Sequence, residues 1–250
     1  MKKVIMNQKD PIKVSRFECL KADWIRVVNA ARRTWGKKPL SHEPSSLFKK
    51  KILLAEHSPI RLLEYDFTWE DIRQWVTVHL VRHHEGCEKF VHTQRQDIRS
   101  LGDDYGVKSR DELPQGALND MDMTCNAQAF INISRKRLCR CASPETRHAW
   151  QTAIDYLQEV DPMLASVCVP ECIYRGFCPE FDRCCGYVNT EDYQKRLEEY
   201  RSLPLKEGGN KKQPAIIENK SQAANNTNSI SNKQNRLELH KLDIRTKLSL

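Results

Sequence analysis

The chain has 250 residues, 39% of them hydrophobic and 30% charged, with a formal net charge of +8. That length buries one good core with a small appendage but not two large domains, and the basic excess favours anionic partners, either nucleotide or nucleic acid. No apolar run reaches the length of a bilayer span, and the first residues turn polar before a signal-peptide core could form, so a cytoplasmic protein is expected.

Residues 14–24 read as extended, and 23–33 have helical spacing that turns Trp24, Val27, Val28 and Ala31 toward the core. A second helix follows over 45–56. Over 61–69, Leu63, Tyr65, Phe67 and Trp69 alternate with Leu62, Glu64, Asp66 and Thr68, the period-two signature of a half-buried strand. Residues 70–82 then set Ile72, Trp75, Val76, His79 and Leu80 on one helical face, so this helix ends by presenting Arg82, His83 and His84. A strand-like segment is predicted over 89–99, which would turn Thr93 and Arg95 to one side at a spacing suited to a single phosphate. Gly, Pro and Asp punctuate 101–114, a loop with a short helix. Residues 122–137 read as a long helix with Asn126 and Arg137 about three turns apart and on one face, and 144–158 as an amphipathic helix.

From Leu205 the composition shifts to Lys, Asn, Ser and Gln, and 207–234 lack the apolar content to fold alone. The final 237–250 carry Leu237, Leu239, Leu242, Ile244 and Leu248 among charges; they either fold on docking to a neighbour or form a frayed polar end. The expected organisation is one catalytic domain over 1–204 and a disordered tail over 205–250.

The chemistry concentrates around Arg82, His83 and His84. Arginine offers five donors in a rigid fork and stays charged, so Arg82 and Arg95 suit a phosphate or a polarised carbonyl; the alternative is a solvated basic helix end. There is no internal repeat and no glycine-rich phosphate loop, so phosphates must be gripped by side chains, for which Arg82, Arg95, Arg110 and Arg137 are the candidates. Cys87 is tempting as a nucleophile, but neighbouring Glu85 and Glu88 should disfavour its thiolate. Ten cysteines are many for a reducing compartment. The run Cys168, Cys172, Cys178, Cys184 is looser than two zinc knuckles, so no metal is assigned; a zinc site and a loop of small, partly buried thiols both stay open.

Several short segments fall into a recognisable order. Ala30-Ala31-Arg32-Arg33-Thr34-Trp35 and Glu56-His57-Ser58-Pro59 precede Arg82-His83-His84, which is followed by Thr93 and Arg95. Arg110 with Pro114, then Asn126, Asn132 and Arg137, continue the order into Leu138-Cys139-Arg140-Cys141-Ala142, Glu145-Thr146-Arg147 and the stretch from Cys172 to Glu180. In this order the chain resembles the flavin-dependent thymidylate synthases, over roughly residues 25 to 180. It departs from their pattern at His84, where an arginine is usual, at Thr93, which replaces a serine after one inserted residue, and at Pro59, Val91, His92, Val107 and Gln128. The connection from Arg95 to Arg110 is also shorter than theirs.

The resemblance implies an α+β fold, a central antiparallel sheet flanked by long helices, assembled as a homotetramer with interfacial active sites. It implies reductive methylation of dUMP to dTMP, with FAD as redox carrier, methylenetetrahydrofolate as carbon donor and NADPH as reductant. Arg137 would stabilise negative charge on the pyrimidine. His79, Arg82, Thr93, Gln94, Arg95 and Arg110 would join it in holding dUMP. Thr34, His57, Arg82, His83, His84, Asn126, Gln128 and Asn132 would line the flavin. For His57 a purely structural role stays open, as does a helix C-terminal role for Thr34 and an exposed polar role for Asn126 and Asn132. Two rivals stay in view: the same scaffold hydroxymethylating a pyrimidine nucleotide, and a zinc-stabilised nucleic-acid-binding protein, against which stands the lack of aromatics interleaved with the arginines.

Overall fold

The computed structural model describes residues 12–95, 97–98, 109–180 and 182–204. The chain divides into two units, Met1–Gly208 and Gly209–Leu250. The second unit, with the expected linker and the terminal amphipathic stretch, lies outside the described residues.

Strand β1, Lys13–Lys21, leads into helix α1, Trp24–Thr34, whose N-cap Asp23 accepts from the Arg26 amide at 2.8 Å. Ser45 caps α2, Ser46–Leu54, in the same way, and a 3-10 turn over Ser58–Leu62 delivers the chain to strand β2, Glu64–Arg73. Helix α3, Gln74–Val81, and strand β3, Cys87–Val91, follow. Strand β4, Leu118–Asn126, runs directly into α4, Ala127–Arg137, and then come α5, Pro144–Val160, α6, Pro162–Ala165, α7, Glu171–Arg175, and α8, Glu191–Arg201. The strands form one antiparallel sheet in the order β1-β2-β4-β3.

The sheet is one-sided. Tyr65, Phe67, Trp69, Met121, Met123 and Cys125 are 0–1% exposed and pack against Phe130 of α4 and Trp150 of α5. The polar tips in this core are partnered: Trp69 donates to the Ala149 carbonyl at 2.8 Å, Trp150 to Ser134 Oγ at 2.8 Å and Tyr65 to Asp161 at 2.7 Å. The opposite face carries Arg16, Asp66, Asp122 and Thr124, joined by an Arg16–Asp66 ion pair at 2.6 Å and a Thr124–Asp66 hydrogen bond at 2.6 Å. No helix among the described residues is long and apolar enough to cross a membrane.

Three expected elements differ. Strand β2 continues past Trp69 through a bulge, with Asp71 at φ 58°, so Ile72 is buried from the strand and the helix begins only at Gln74. The long helix predicted over 122–137 is half strand: Asn119, Met121, Met123 and Cys125 alternate as buried residues on β4, and the helix starts after Asn126. Asn126 and Arg137 therefore stand at opposite ends of α4, about 16 Å apart along its axis at 1.5 Å per residue. The strand predicted over 89–99 ends at Val91, although β4 runs three residues further to Leu118, so Thr93 and Arg95 do not share a strand face.

Candidate functional site

Helix α3 ends where α4 ends, and their last residues meet. Arg137 donates from Nε to His83 Nε2 at 2.8 Å and from Nη2 to the His79 carbonyl. Because a guanidinium can only donate, His83 Nε2 must carry a lone pair, which makes the ring neutral with its proton on Nδ1. Burial, together with the charges of Arg137 and Lys89, holds its pKa down to about 4. His79 is also pushed down, by burial and by Arg137 and Arg82. Its Nδ1 lies 2.8 Å from Thr146 Oγ1, which also meets Ser143 Oγ at 2.8 Å. Two edges of the Arg137 fork are thus fixed, and Nη1 makes no hydrogen bond or ion pair among the described residues. Arg82, exposed beside it, likewise has no bonded partner among them, yet its charge is felt by both His79 and Arg137.

The loop from Arg82 to Gly86 is held at both ends of α4. At the far end the Asn126 amide donates to the Gly86 carbonyl at 2.9 Å, while the Asn126 side chain caps α4 by accepting from Ala129 N at 2.9 Å. Inside the loop the His83 carbonyl takes the Cys87 thiol at 3.1 Å and the Lys89 ammonium. Cys87 is acidified to about 7, chiefly by the Cys125 thiol from the adjacent strand and by Lys89, which outweigh burial and Glu88. That departs from the expectation drawn from Glu85 and Glu88: the net shift is downward, because Cys125 and Lys89 outweigh Glu88.

Gln128 and Asn132 of α4 join a polar network that sequence reasoning did not assign. Gln128 Nε2 donates to Glu56 at 2.6 Å and to Asn132 at 3.2 Å, and Arg135 pairs with Glu56 while lying 3.5 Å over the Tyr174 ring. Arg135 Nε is buried without a partner among the described residues. The signal for it was the basic last turn of α4, where only Arg137 was singled out. Next to Glu56, at positive φ, the chain turns into a cleft of about 940 Å³ between α1 and α2 that brings Thr34 and His57 together. Arg32, Lys37, Lys49 and Lys51 face it against the single carboxylate of Glu43, and Trp35, 76% exposed, offers a ring. A basic cleft with an open aromatic fits an anionic dinucleotide. Thr34 Oγ1 meanwhile donates to the Ala31 carbonyl at 2.7 Å, a helix C-terminal role.

Among the described residues no hydrogen bond or ion pair joins Thr93, Gln94, Arg95, His84 or Arg110 to Arg137. Past β3, Thr93 accepts from the Arg95 amide at 3.2 Å, and Arg95 is bound to Asp97, with Nε to Oδ1 at 3.0 Å. Gln94 Nε2 is buried with no partner among the described residues, an orphan donor of the kind a ligand or water completes. His84 is exposed, and Arg110 opens an exposed 3-10 turn, Arg110–Glu112.

Two crystal structures of the flavin-dependent thymidylate synthase of Helicobacter pylori, each with FAD and dUMP, are similar to this chain in fold, with TM-scores of 0.52. Their identity to this chain is 14%, over 63% of it and 98% and 99% of theirs. A UMP/dUMP methylase from Streptomyces cacaoi, bound with 5-Br dUMP, is 15% identical over 66% of this chain and 94% of its own, with a TM-score of 0.49. No protein-family model and no curated protein matches the sequence. The synthase likeness shows a shared α+β fold, as the motif order implied.

Proposed function

We propose that the chain is a flavin-dependent enzyme that binds dUMP and methylates its pyrimidine to give dTMP, with methylenetetrahydrofolate as carbon donor and NADPH as reductant. One observation carries the reading: Arg137 is clamped by neutral His83 and by the His79 carbonyl, leaving Nη1 and the neighbouring Arg82 free for an anionic ligand. A guanidinium fixed in advance stabilises negative charge developing on the N3 side of a uracil without reorganising in the reaction. His83 aims it as an acceptor, and because it is neutral it adds no competing charge. His79, Thr93, Gln94, Arg95 and Arg110 complete the nucleotide site, Arg95 exchanging Asp97 for the phosphate and Gln94 satisfying its orphan donor.

The α1/α2 cleft and the adjoining face of α4 would hold FAD, with Thr34 and His57 in the cleft, Gln128 and Asn132 on the helix, and Asn126, Arg82, His83 and His84 toward the nucleotide. When bound, FAD would carry the reducing equivalents. The likeness in fold to a synthase crystallised with FAD and dUMP supports this reading, as does the excess of cations in the cleft. Because among the described residues no hydrogen bond or ion pair joins Thr93, Arg95 or Arg110 to Arg137 within one copy, we place the complete site between copies of a homotetramer.

The test is a visible spectrum of the purified protein with FAD, with and without dUMP, followed by mass analysis of the product formed with folate and NADPH. A bound flavin band that shifts with dUMP, and a product heavier by a methyl group, are expected. A hydroxymethylated product keeps the site and changes the reaction. A protein that ignores both ligands and binds DNA with steep salt dependence overturns the proposal. Arg137→Lys keeps the charge but loses the fork, and should weaken dUMP about tenfold or more, the cost of a charge-assisted hydrogen bond, with flavin binding retained.

A further inference from the structure

Six of the ten cysteines line one cavity of about 270 Å³ that Arg137 also borders: Cys139, Cys141, Cys172, Cys178, Cys184 and Cys185. They come from three separate segments: the turn after α4, the start of α7, and the stretch between α7 and the 3-10 turn Tyr187–Asn189. Their thiols influence one another: Cys139 and Cys185 help raise the pKa of Cys141, Cys184 that of Cys178, and Cys139 and Cys178 that of Cys172, each beside the larger effect of burial. The sequence spacing had put Cys168 in such a group, but Cys168 is 1% exposed in the core, and its thiol interacts with Ser134. Cys139 and Cys141, remote in sequence, take its place.

Thiols assembled from three segments have no packing reason to converge at a surface, where Cys141, Cys184 and Cys185 are exposed. The charges around them suit an anionic centre: Arg135, Lys136, Arg137 and Arg140 line the same cavity, against Glu171, which is already paired with Arg175, and Glu180. We propose that this cavity is a thiolate site for a soft metal, zinc or an iron–sulfur cluster. Cys139, Cys141, Cys178 and Cys185 are its ligands, with Cys172 and Cys184 beside them.

Among the described residues no three His, Cys, Asp or Glu side chains already stand close enough together to hold a metal ion, so the sulfurs must move to ligate one. The thiols spend their hydrogens on weak bonds instead, Cys141 to the Arg183 carbonyl at 3.1 Å and Cys178 to the Glu180 carbonyl at 4.0 Å. Ligation rotates the sulfurs inward and releases one proton from each, and four thiolates around a divalent zinc leave a doubly negative centre for the surrounding guanidinium groups. Such a centre would pin the turn that follows Arg137 to the far segment that carries Cys178 and Cys185. It would do so whether or not the protein binds a pyrimidine.

The test uses the full chain, purified without oxygen from cells grown with zinc and from cells grown with iron, and read by elemental analysis, acid-labile sulfide and electron paramagnetic resonance. Stoichiometric zinc without sulfide identifies the single-ion form, and iron with matching sulfide the cluster form. In either form, stripping the metal with a chelator should raise the count of thiols open to Ellman's reagent by about four, one for each ligand of a thiolate site. Cys141→Ser and Cys185→Ser should each lose the metal, while Cys19→Ser, on β1, keeps it. Background metal in both preparations, with these thiols freely reactive or linked as disulfides, overturns the proposal. Metal retained in the Cys141→Ser, Cys185→Ser double variant does so too. Neither readout involves flavin or nucleotide, so failure here leaves the proposed reaction standing.

Discussion

His83 shows how one side chain ties the site to stability. Its pKa is 6.5 unfolded and about 4 in the folded chain, where burial and the neighbouring Arg137, Lys89 and His84 all oppose a second proton. Between those values the unfolded chain takes up a proton that the folded chain refuses, so acid favours unfolding. The stabilisation is therefore whole above the unfolded pKa and is lost as pH falls toward the folded one, and the downward shift of His79 acts in the same direction. Urea midpoints should fall steadily from about pH 7 to about pH 4.5, and His83→Gln, which still offers Arg137 an acceptor, should flatten that slope. An unchanged slope in the variant would remove His83 from the account. Cys87 teaches a related lesson about reading residues locally. Its sequence neighbours are Glu85 and Glu88, but its spatial partners are Lys89 and, across the β3–β4 ladder, Cys125. No local window contains that pairing.

At the scale of elements, the loop between α3 and β3 depends on a close approach at Gly86. Its φ is +71°, and a Cβ there would meet the Asn126 side chain at 2.6 Å, the side chain that caps α4. Gly86→Ala should therefore carry the left-handed backbone cost of about 1–2 kcal/mol and most of an N-cap, about 1 kcal/mol. A loss of roughly 2–3 kcal/mol in chemical denaturation is the expected result; a loss below half of that would mean that Asn126 swings aside and the cap is dispensable. Much at this scale was legible. The alternation from Leu63 to Trp69 marked β2, and the apolar spacing of Trp24, Val27, Val28 and Ala31 marked α1. The helix read from Glu70 failed because the bulge at Asp71 reset the phase of the buried residues, making Ile72 look like part of a helical face. The helix read from Asp122 failed because Asn119, Asp120, Asp122 and Asn126 are weak strand formers, so the alternation that makes β4 was hidden by composition.

For the whole molecule, the distribution of the site residues is itself informative. Motif order singled out Arg137, His83 and His79, which one copy brings into contact, and also Thr93, Arg95 and Arg110, which that copy leaves exposed. Spacing along a chain cannot tell a site within one copy from a site shared by two. If the complete nucleotide site is shared, an Arg137→Ala variant and an Arg95→Ala variant, each inactive alone, carry complementary defects. Dissociating the two under mild denaturant and reassembling them in equal amounts should then restore activity. The ceiling is roughly a quarter of wild-type sites, the chance that a site draws an intact Arg137 from one parent and an intact Arg95 from the other in a closed symmetric oligomer. A single-copy site predicts no recovery at any mixing ratio, because every chain in the mixture still lacks one arginine. Sedimentation of the mixed sample would show whether the copies assembled. Assembly without recovered activity would place the nucleotide within one chain and require the segment carrying Arg95 to fold back toward Arg137.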